Sequence, residues 1–215
     1  MRPKMIVWGA SGHALVVADI LRLRNEYDIV GFIDDLNSNR RGQEVIGLPV
    51  LGGREQFPTL RRQGIAHLIF GFGDCAARLE LASLVDRLGF ESVTAIHPGA
   101  IVADSASIGV GSVIAAGAVV GAGAIIGRHC IINTCASVDH ECIIGDAAHV
   151  GPGVRLGGRV RIERAAWVGI GATILDNIHI GAHSVVGAGA VVTKDVPTSV
   201  VVYGVPAKTV RAVPS

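Results

Sequence analysis

One part of the chain concentrates side chains that can take part in acid–base chemistry. Asn133 is followed by the run Asp139-His140-Glu141, and His149 comes nine residues after His140. An imidazole with a carboxylate beside it is suited to act as a general base, because the carboxylate orients the ring and raises its basicity. The alternative for a histidine in a polar turn is a solvated surface residue. The two flanking carboxylates favour the general-base hypothesis for His140.

Metal binding is a weaker hypothesis for the same residues. His140 and His149 alone would leave a zinc ion short of its usual ligand set, so we expect no metal site. His129 lacks an adjacent carboxylate in the sequence. We interpret it, together with His179 and His183, as a solvated turn residue.

The scaffold that must position these groups is indicated by an apolar period of six between Ile96 and Val196. All seventeen residues reached from Ile96 in steps of six are Ile, Val or Leu. A helix has a period near 3.6 and a half-buried strand a period of 2, so neither explains this pattern. A hexapeptide repeat predicts a parallel β-helix in which three repeats form one triangular coil. Residues 18 apart then stack about 4.8 Å from each other.

The chain before this repeat predicts a small α/β domain with a parallel sheet. Short apolar strands alternate with two helical patterns over residues 1–96, which we assign to this domain. Residues 97–215 are assigned to the β-helix and a C-terminal tail. Residues 36–53 are polar and rich in glycine, so we interpret them as a loop.

Two features of the α/β domain suit a nucleotide. The first strand leads through Gly9-Ala10-Ser11-Gly12-His13 into a helix, and free amides at a helix N-terminus favour anions. Asp34 and Asp35 end the second strand, where an acidic residue holds a ribose in dinucleotide folds. Only part of the G-x-G-x-x-G fingerprint is present, so a tight turn without a ligand is the alternative.

Composition limits the classes of partner. The formal net charge is +1 without a basic run, which argues against nucleic acid and against an anionic membrane surface. No apolar run reaches the roughly 18 residues of a membrane span, and the first residues lack the pattern of a signal peptide. The four cysteines show no C-x-x-C spacing, which suits free thiols in a reducing compartment. We therefore expect a cytoplasmic protein.

Several motifs occur in the order found in one family. They are G-A-S-G-H after the first strand, F-x-D-D at the end of the second, G-x-G-D after the third, N-T-x-A-x-V-D-H-E-C-x-I-G-D-x-x-H in the repeats, and a G-V-P-A-K tail. The chain resembles the bacterial sugar acyltransferases typified by PglD and NeuD over essentially its full length. The resemblance implies a left-handed β-helix. It also implies transfer of acetyl from acetyl-CoA to the 4-amino group of a nucleotide-linked 4-amino-4,6-dideoxyhexose.

The resemblance implies roles for particular residues as well. His140 would remove a proton from the acceptor amine, and Glu141 would polarise it. The residues that would bind acetyl-CoA are His149, Ile170 and Ala188. The residues that would bind the sugar nucleotide are Ser11, Gly12, His13, Asp34, Asp35 and Gly73. The resemblance also implies a homotrimer with acetyl-CoA between neighbouring β-helices.

Direct transfer to an amine also needs a donor for the oxyanion that develops on the thioester. Gly158 lies 18 residues after His140 and therefore on the next coil, so we expect its backbone N–H to approach the thioester oxygen. Two other functions stay open at this point. One is O-acetylation of sialic acid or of another sugar hydroxyl, and the other is a non-catalytic trimeric nucleotide-binding module.

Overall fold

The computed structural model describes residues 1–214; Ser215, the last residue of the predicted β-helix domain, lies outside them. Its first part is a six-stranded sheet with helices. The elements are β1 (Lys4–Trp8), α1 (Gly12–Arg24), β2 (Asp28–Ile33), β3 (Glu44–Val45), β4 (Leu48–Gly52), α2 (Phe57–Arg62), β5 (His67–Phe70), α3 (Cys75–Arg87) and β6 (Glu91–Ser92), with 3₁₀ turns at Ser38–Arg40 and Arg54–Gln56.

The sheet has the order β3-β4-β2-β1-β5-β6, and all neighbours are parallel except the β3–β4 hairpin. Buried apolar strands flanked by helices form such parallel sheets. The segment 36–53, which the sequence predicted to be a loop, instead contributes β3 and β4. Because β4 pairs with β2 next to Asp34, it closes one side of the space above the sheet.

The second part is a triangular prism of seventeen short strands. Each strand ends in one of the seventeen predicted aliphatics. Face A consists of Ala95–Ile96, Val113–Ile114, Ile131–Ile132, His149–Val150, Trp167–Val168 and Val185–Val186; face B of Ile101–Val102, Val119–Val120, Ser137–Val138, Arg155–Leu156, Thr173–Ile174 and Val191–Val192; face C of Ser107–Ile108, Ile125–Ile126, Ile143–Ile144, Arg161–Ile162 and His179–Ile180. We name the turns corner AB, corner BC and corner CA after the faces they join.

All strand pairs between coils are parallel and 18 residues apart, as in Ile131 with His149. The second residue of each strand points into the dry interior, where it packs against small residues such as Ala136 and Cys142. Face A begins at Ala95, which pairs with Val113, just before the domain boundary expected at residue 97.

Two different needs govern the turns. From Gly111 to Gly189 the residue three after each aliphatic is left-handed, and this includes Glu141 with φ 58°. The residue directly after the aliphatic is often glycine for another reason, because the next coil approaches too closely for a side chain. A Cβ on Gly145, for example, would lie 2.6 Å from the backbone N of Arg164. The left-handed conformation of Glu141 is therefore a property of the repeat.

The two parts pack directly against each other. Helix α1 covers the lower part of face A, so Val113 and Ile131 are buried with Val17 and Leu21. The C-terminal segments Val200–Gly204 and Ala207–Ala212 form an antiparallel hairpin whose first strand adds to face A. This hairpin covers the open end of the prism. In the described residues we find no helix long and apolar enough to cross a membrane.

Candidate active site

His140 lies at corner BC with its imidazole held by its neighbour in the sequence. Its Nδ1 is 3.1 Å from Oε2 of Glu141, and its side chain is 46% exposed. Asp139 fixes the turn by accepting a hydrogen bond from the backbone N–H of His140. With Nδ1–H donating to the carboxylate, the lone pair of the ring lies on Nε2, where it is able to accept a proton.

The carboxylate of Glu141 is itself held from the next coil. Nε of Arg159, 18 residues on, lies 3.1 Å from the same Oε2. The hydrogen bond from His140, followed by the charge of Arg159, lowers the pKa of Glu141. Glu141 is therefore ionised at neutral pH and favours the tautomer of His140 that leaves Nε2 free.

Gly158 has a different role from the predicted one. Its backbone N–H donates to Oδ1 of Asp176 at 2.8 Å, so it is not free to bind an oxyanion, and the prediction of that role was wrong. What the glycine provides is space. A Cβ at this position would lie 2.5 Å from Nε2 and 2.6 Å from Cε1 of His140. Only glycine allows the ring to lie flat against this coil.

A double-mutant cycle tests this contact. We expect Gly158→Ala to lower the free energy of unfolding by about 0.5–1.5 kcal/mol, because the new methyl group pushes the half-exposed imidazole out of its rotamer. In a His140→Ala background the same substitution should cost almost nothing, since the overlap is gone. Urea unfolding followed by circular dichroism measures both. An equal cost in the two backgrounds would show that the ring does not occupy this place.

His149 lies elsewhere, on face A, where the α/β domain meets the prism. Asn133 at corner AB is 3.1 Å from its Nε2, and a Cβ on Gly73 would lie 3.6 Å from its Cε1. The ring of His13 is 6.4 Å away between centroids. Of the predicted ligand-binding residues, the structure thus brings His13, Gly73 and His149 together at the domain junction.

Both histidines of this junction are neutral. Burial, with the charge of Arg78 adding to it, lowers the pKa of His149 to about 3 and that of His13 to about 4. Nε2 of His13 is buried without a hydrogen-bond partner. Neither ring is suited to act as a cation near pH 7, whereas each can donate or accept a hydrogen bond.

Ile170 and Ala188 stand on successive coils at corner AB. Both residues are exposed, and Ile170 is 61% exposed. Trp167, which pairs in register with His149 on face A, is also exposed, and its ring is 6.3 Å from that of His149. Together these side chains form an apolar track that leads from the corner to the domain junction.

A cavity of about 480 Å³ opens above the sheet of the α/β domain. Ser11, Asp34 and Asp35 line it, whereas Gly12, His13 and Gly73, which were predicted for the same pocket, do not. Its volume lies in the range of small-molecule sites. Ser11 makes no side-chain cap on α1, so the first amides of this 13-residue helix, at Gly12 and His13, have no side-chain partner from it.

The two aspartates already have partners within the chain. Asp35 accepts hydrogen bonds from Nε1 of Trp8 at 3.0 Å and from Nε of Arg54 at 2.9 Å. Asp34 caps the following turn and lies 3.8 Å from Arg40. The two arginines thus line the cavity as partners of these aspartates, and sequence reasoning missed both of them.

Other candidates were also missed or misplaced. His129 is 2% exposed at corner CA and packs on Phe70, so its interpretation as a solvated turn residue was wrong. The contact of Arg159 with Glu141 could have been predicted, because the two residues are 18 apart and therefore stack on successive coils. Among the described residues we find no group of His, Cys, Asp or Glu arranged to hold a metal ion.

Two family models match the chain. The "PglD N-terminal domain" matches residues 4–85, and the "Bacterial transferase hexapeptide (six repeats)" model matches residues 159–194. Among curated proteins, a 2,3,4,5-tetrahydropyridine-2,6-dicarboxylate N-acetyltransferase of Clostridium perfringens is 56% identical over 126 residues, which are 55% of this chain and 53% of that protein. A galactoside O-acetyltransferase of Lactococcus lactis is 41% identical over 61 residues, 28% of this chain and 30% of that one. The chain thus spans about half or less of the length of these curated relatives.

Solved structures match over almost the whole chain. PerB from Caulobacter crescentus, in complex with CoA and GDP-perosamine, is 39% identical and has a TM-score of 0.91, covering 96% of this chain and 97% of that one. The acetyltransferase domain of PglB from Neisseria gonorrhoeae, in complex with acetyl coenzyme A, is 36% identical with a TM-score of 0.90 and covers 98% and 100%. The predicted fold class, an α/β domain followed by a left-handed parallel β-helix, is confirmed. As the sequence motifs predicted, the chain belongs to the PglD-like sugar acyltransferases of the hexapeptide-repeat superfamily.

Proposed function

We propose that the protein transfers acetyl from acetyl-CoA to the 4-amino group of a nucleotide-linked 4-amino-4,6-dideoxyhexose. The observation that carries this proposal is the oriented imidazole of His140, whose Nδ1 faces Glu141 and whose Nε2 is open beside Gly158. The likeness to PerB, solved with CoA and GDP-perosamine, supports the class of both substrates.

In the reaction, the amine nitrogen attacks the carbonyl carbon of the thioester. A C–N bond forms, the C–S bond breaks, and the CoA thiolate leaves. A sugar amine is mostly ammonium at neutral pH, so its proton must be removed for the nitrogen to react. His140 takes this proton on Nε2, and the carboxylate of Glu141 stabilises the imidazolium that results.

The nucleotide part of the acceptor suits the cavity above the sheet. The N-terminus of α1, which reaches the cavity at Ser11, provides amides and a positive dipole end for phosphates, and the guanidinium groups of Arg40 and Arg54 can donate to them although each is paired with an aspartate. The exposed track formed by Trp167, Ile170 and Ala188 suits the pantetheine arm, which is partly apolar. Acetyl-CoA is the co-substrate in this proposal.

The proposed enzyme is a homotrimer, because one chain alone separates the parts of the site. His140 stands at corner BC, whereas His149 and the α/β domain adjoin face A, with corner AB or corner CA on either side. Exposed aliphatics flank corner BC on both of its faces, among them Val119, Ile125 and Ile143. They support packing of a second prism beside His140, with acetyl-CoA between the two.

Mixing two inactive variants tests the shared site. His140→Ala removes the base, and Gly12→Asp places a negative charge where we put the phosphates; a Cβ at Gly12 meets no atom within 4 Å, so the fold should persist. Co-expressed in equal amounts, the two variants should regain about a quarter of wild-type activity, because some sites combine an intact base with an intact cavity. If each chain held a whole site, mixed trimers would stay inactive.

A thiol-release assay tests the function itself. Acetyl-CoA is offered with GDP-, UDP- and dTDP-linked 4-amino-4,6-dideoxyhexoses, with sialic acid and with sugars that carry only hydroxyls. We expect release with amino sugars and a product acetylated on nitrogen by mass spectrometry. Release only with hydroxyl sugars would replace this function by O-acetylation. Nucleotide binding without any release would favour the non-catalytic module.

The four free cysteines and the use of acetyl-CoA support the cytoplasm as the compartment.

A further inference from the structure

Arg78 is a charged residue buried between the two domains. It lies on α3 and is 1% exposed. Its Nε donates to the carbonyl oxygen of His129 at 3.0 Å and its Nη2 to that of Ala147 at 2.8 Å, while Nη1 is 3.3 Å from the carbonyl oxygen of Phe72. None of the ion pairs in the described part of the chain includes it. Its partners are backbone carbonyls and the thiol of Cys75.

This arrangement depends on the repeat. His129 and Ala147 occupy equivalent places on successive coils at corner CA, and both are left-handed, with φ near 55°. Stacked residues in the same conformation present their carbonyl oxygens in a row, and a planar guanidinium can bind two acceptors at once in a fixed geometry. Burying a charge is costly unless such hydrogen bonds replace water, so the position of Arg78 relative to the coils is tightly determined.

The same helix forms one wall of the nucleotide cavity. Ala77 and Leu81 line the cavity from α3, and Asp74 lines it from the N-cap of this helix, while Arg78 faces the prism. Phe72, whose carbonyl Arg78 also contacts, precedes Gly73, the residue that lies against His149. A shift of α3 would therefore move the cavity and the Gly73–His149 contact together.

We propose that Arg78 is a positioning residue for acetyl transfer. It fixes the α/β domain on the prism, so that a sugar bound in the cavity reaches the thioester beside the coils. This inference rests on the proposed function. In this proposal Arg78 contacts neither substrate. Its replacement should therefore disturb the alignment of the sugar with the thioester and leave the binding of each substrate unchanged.

The test separates binding from turnover. Arg78→Met keeps the approximate side-chain volume and removes the charge. Arg78→Lys keeps the charge and removes the planar guanidinium. Arg87→Met, at an exposed position on the same helix, is the control. We expect the Kd of GDP and the Kd of CoA, each measured alone by calorimetry, to stay within about threefold of wild type in all three. At saturating acetyl-CoA and GDP-perosamine, kcat should fall about 100-fold in Arg78→Met and about 10-fold in Arg78→Lys, since a displacement of about 1 Å costs that much. Arg87→Met should keep the wild-type kcat.

A second readout does not need activity. Cys75 lies at the junction within 3.8 Å of the carbonyl oxygen of Ala166 and contacts Arg78, whereas Cys130 and Cys142 are buried in the prism. In a Cys135→Ser background, dithiobis(nitrobenzoate) then reports on Cys75. We expect labelling about tenfold faster in Arg78→Lys than with Arg78 intact, because the junction opens more often. If no sugar is acetylated even by the wild-type protein, the proposed function fails. The labelling rate then still tests whether Arg78 fixes the α/β domain on the prism.

The inference is overturned if folded Arg78→Met keeps the wild-type kcat, or if Cys75 is labelled at an unchanged rate. It is also overturned if kcat and both Kd values deteriorate together, which would assign Arg78 to folding alone. Should Arg78→Met fail to fold, Arg78→Lys decides by the same criteria.

Discussion

Replacing His140 with alanine is expected to lower kcat for acetyl transfer by a factor of about 10² to 10⁴, the usual contribution of a general base. In the described residues Nε2 of His140 makes no hydrogen bond, whereas the carboxylate of Asp176 at the same corner is occupied by the backbone N–H of Gly158. The affinities for acetyl-CoA and for the nucleotide should change little, because we propose that other residues bind both. Steady-state kinetics with thiol release, together with calorimetry, measures these quantities.

The chain offers a closely matched control. His179 on face C also pairs with a glutamate, Glu163, at 3.0 Å, and its side chain is 46% exposed, as is that of His140. His179→Ala should leave kcat unchanged, since His179 stacks two coils beyond Ile143, about 10 Å along the prism from the coil of His140. Equal losses in the two variants would indicate that a surface His–Glu pair supports the structure and not the chemistry.

The second large effect is a loss of stability in mild acid. Burial lowers the pKa of His13 and His129 to about 4 and that of His149 to about 3, from 6.5. Between pH 6.5 and about 4 the unfolded chain therefore binds more protons at these sites than the folded one. Stability is present above pH 6.5 and is lost as the pH falls through this window. From pH 7 to pH 5 the three groups together should lower the free energy of unfolding by on the order of 5 kcal/mol.

Urea titrations at pH 7, 6 and 5, followed by circular dichroism, measure this slope. His129→Phe removes one of the three groups and keeps a flat ring against Phe70 and Gly111, so we expect it to reduce the slope by about a third. A free energy of unfolding that stays constant between pH 7 and pH 5 would contradict the neutral, buried state of these histidines.

The repeat explains why much of the site was predictable. A strict period fixes which residues stack, so placing His140 beside Gly158 and Glu141 beside Arg159 needs only the number 18 and the β spacing. Regular backbone also leaves few alternatives for side chains at a corner. The prism is thus predicted by the hexapeptide period, a local pattern that is repeated along the chain.

Contacts between distant segments were not predictable in this way. His129 carries the sequence signature of an exposed turn and becomes buried only because another domain covers it. Asp35 accepts a hydrogen bond from Arg54, which lies 19 residues further along the chain in a 3₁₀ turn. This turn follows a strand that the sequence predicted to be part of a loop. The Gly158 prediction failed because position in the coil says nothing about which acceptor a backbone N–H has already found, here Asp176.

The most direct test of the central claim is a crystal structure of the protein with CoA and GDP-perosamine. We expect the nucleotide in the cavity above the sheet of one subunit and the sugar's amine about 3 Å from Nε2 of His140 in a neighbouring subunit. An amine placed beyond hydrogen-bond reach of every copy of His140, with both ligands fully bound, would contradict the account.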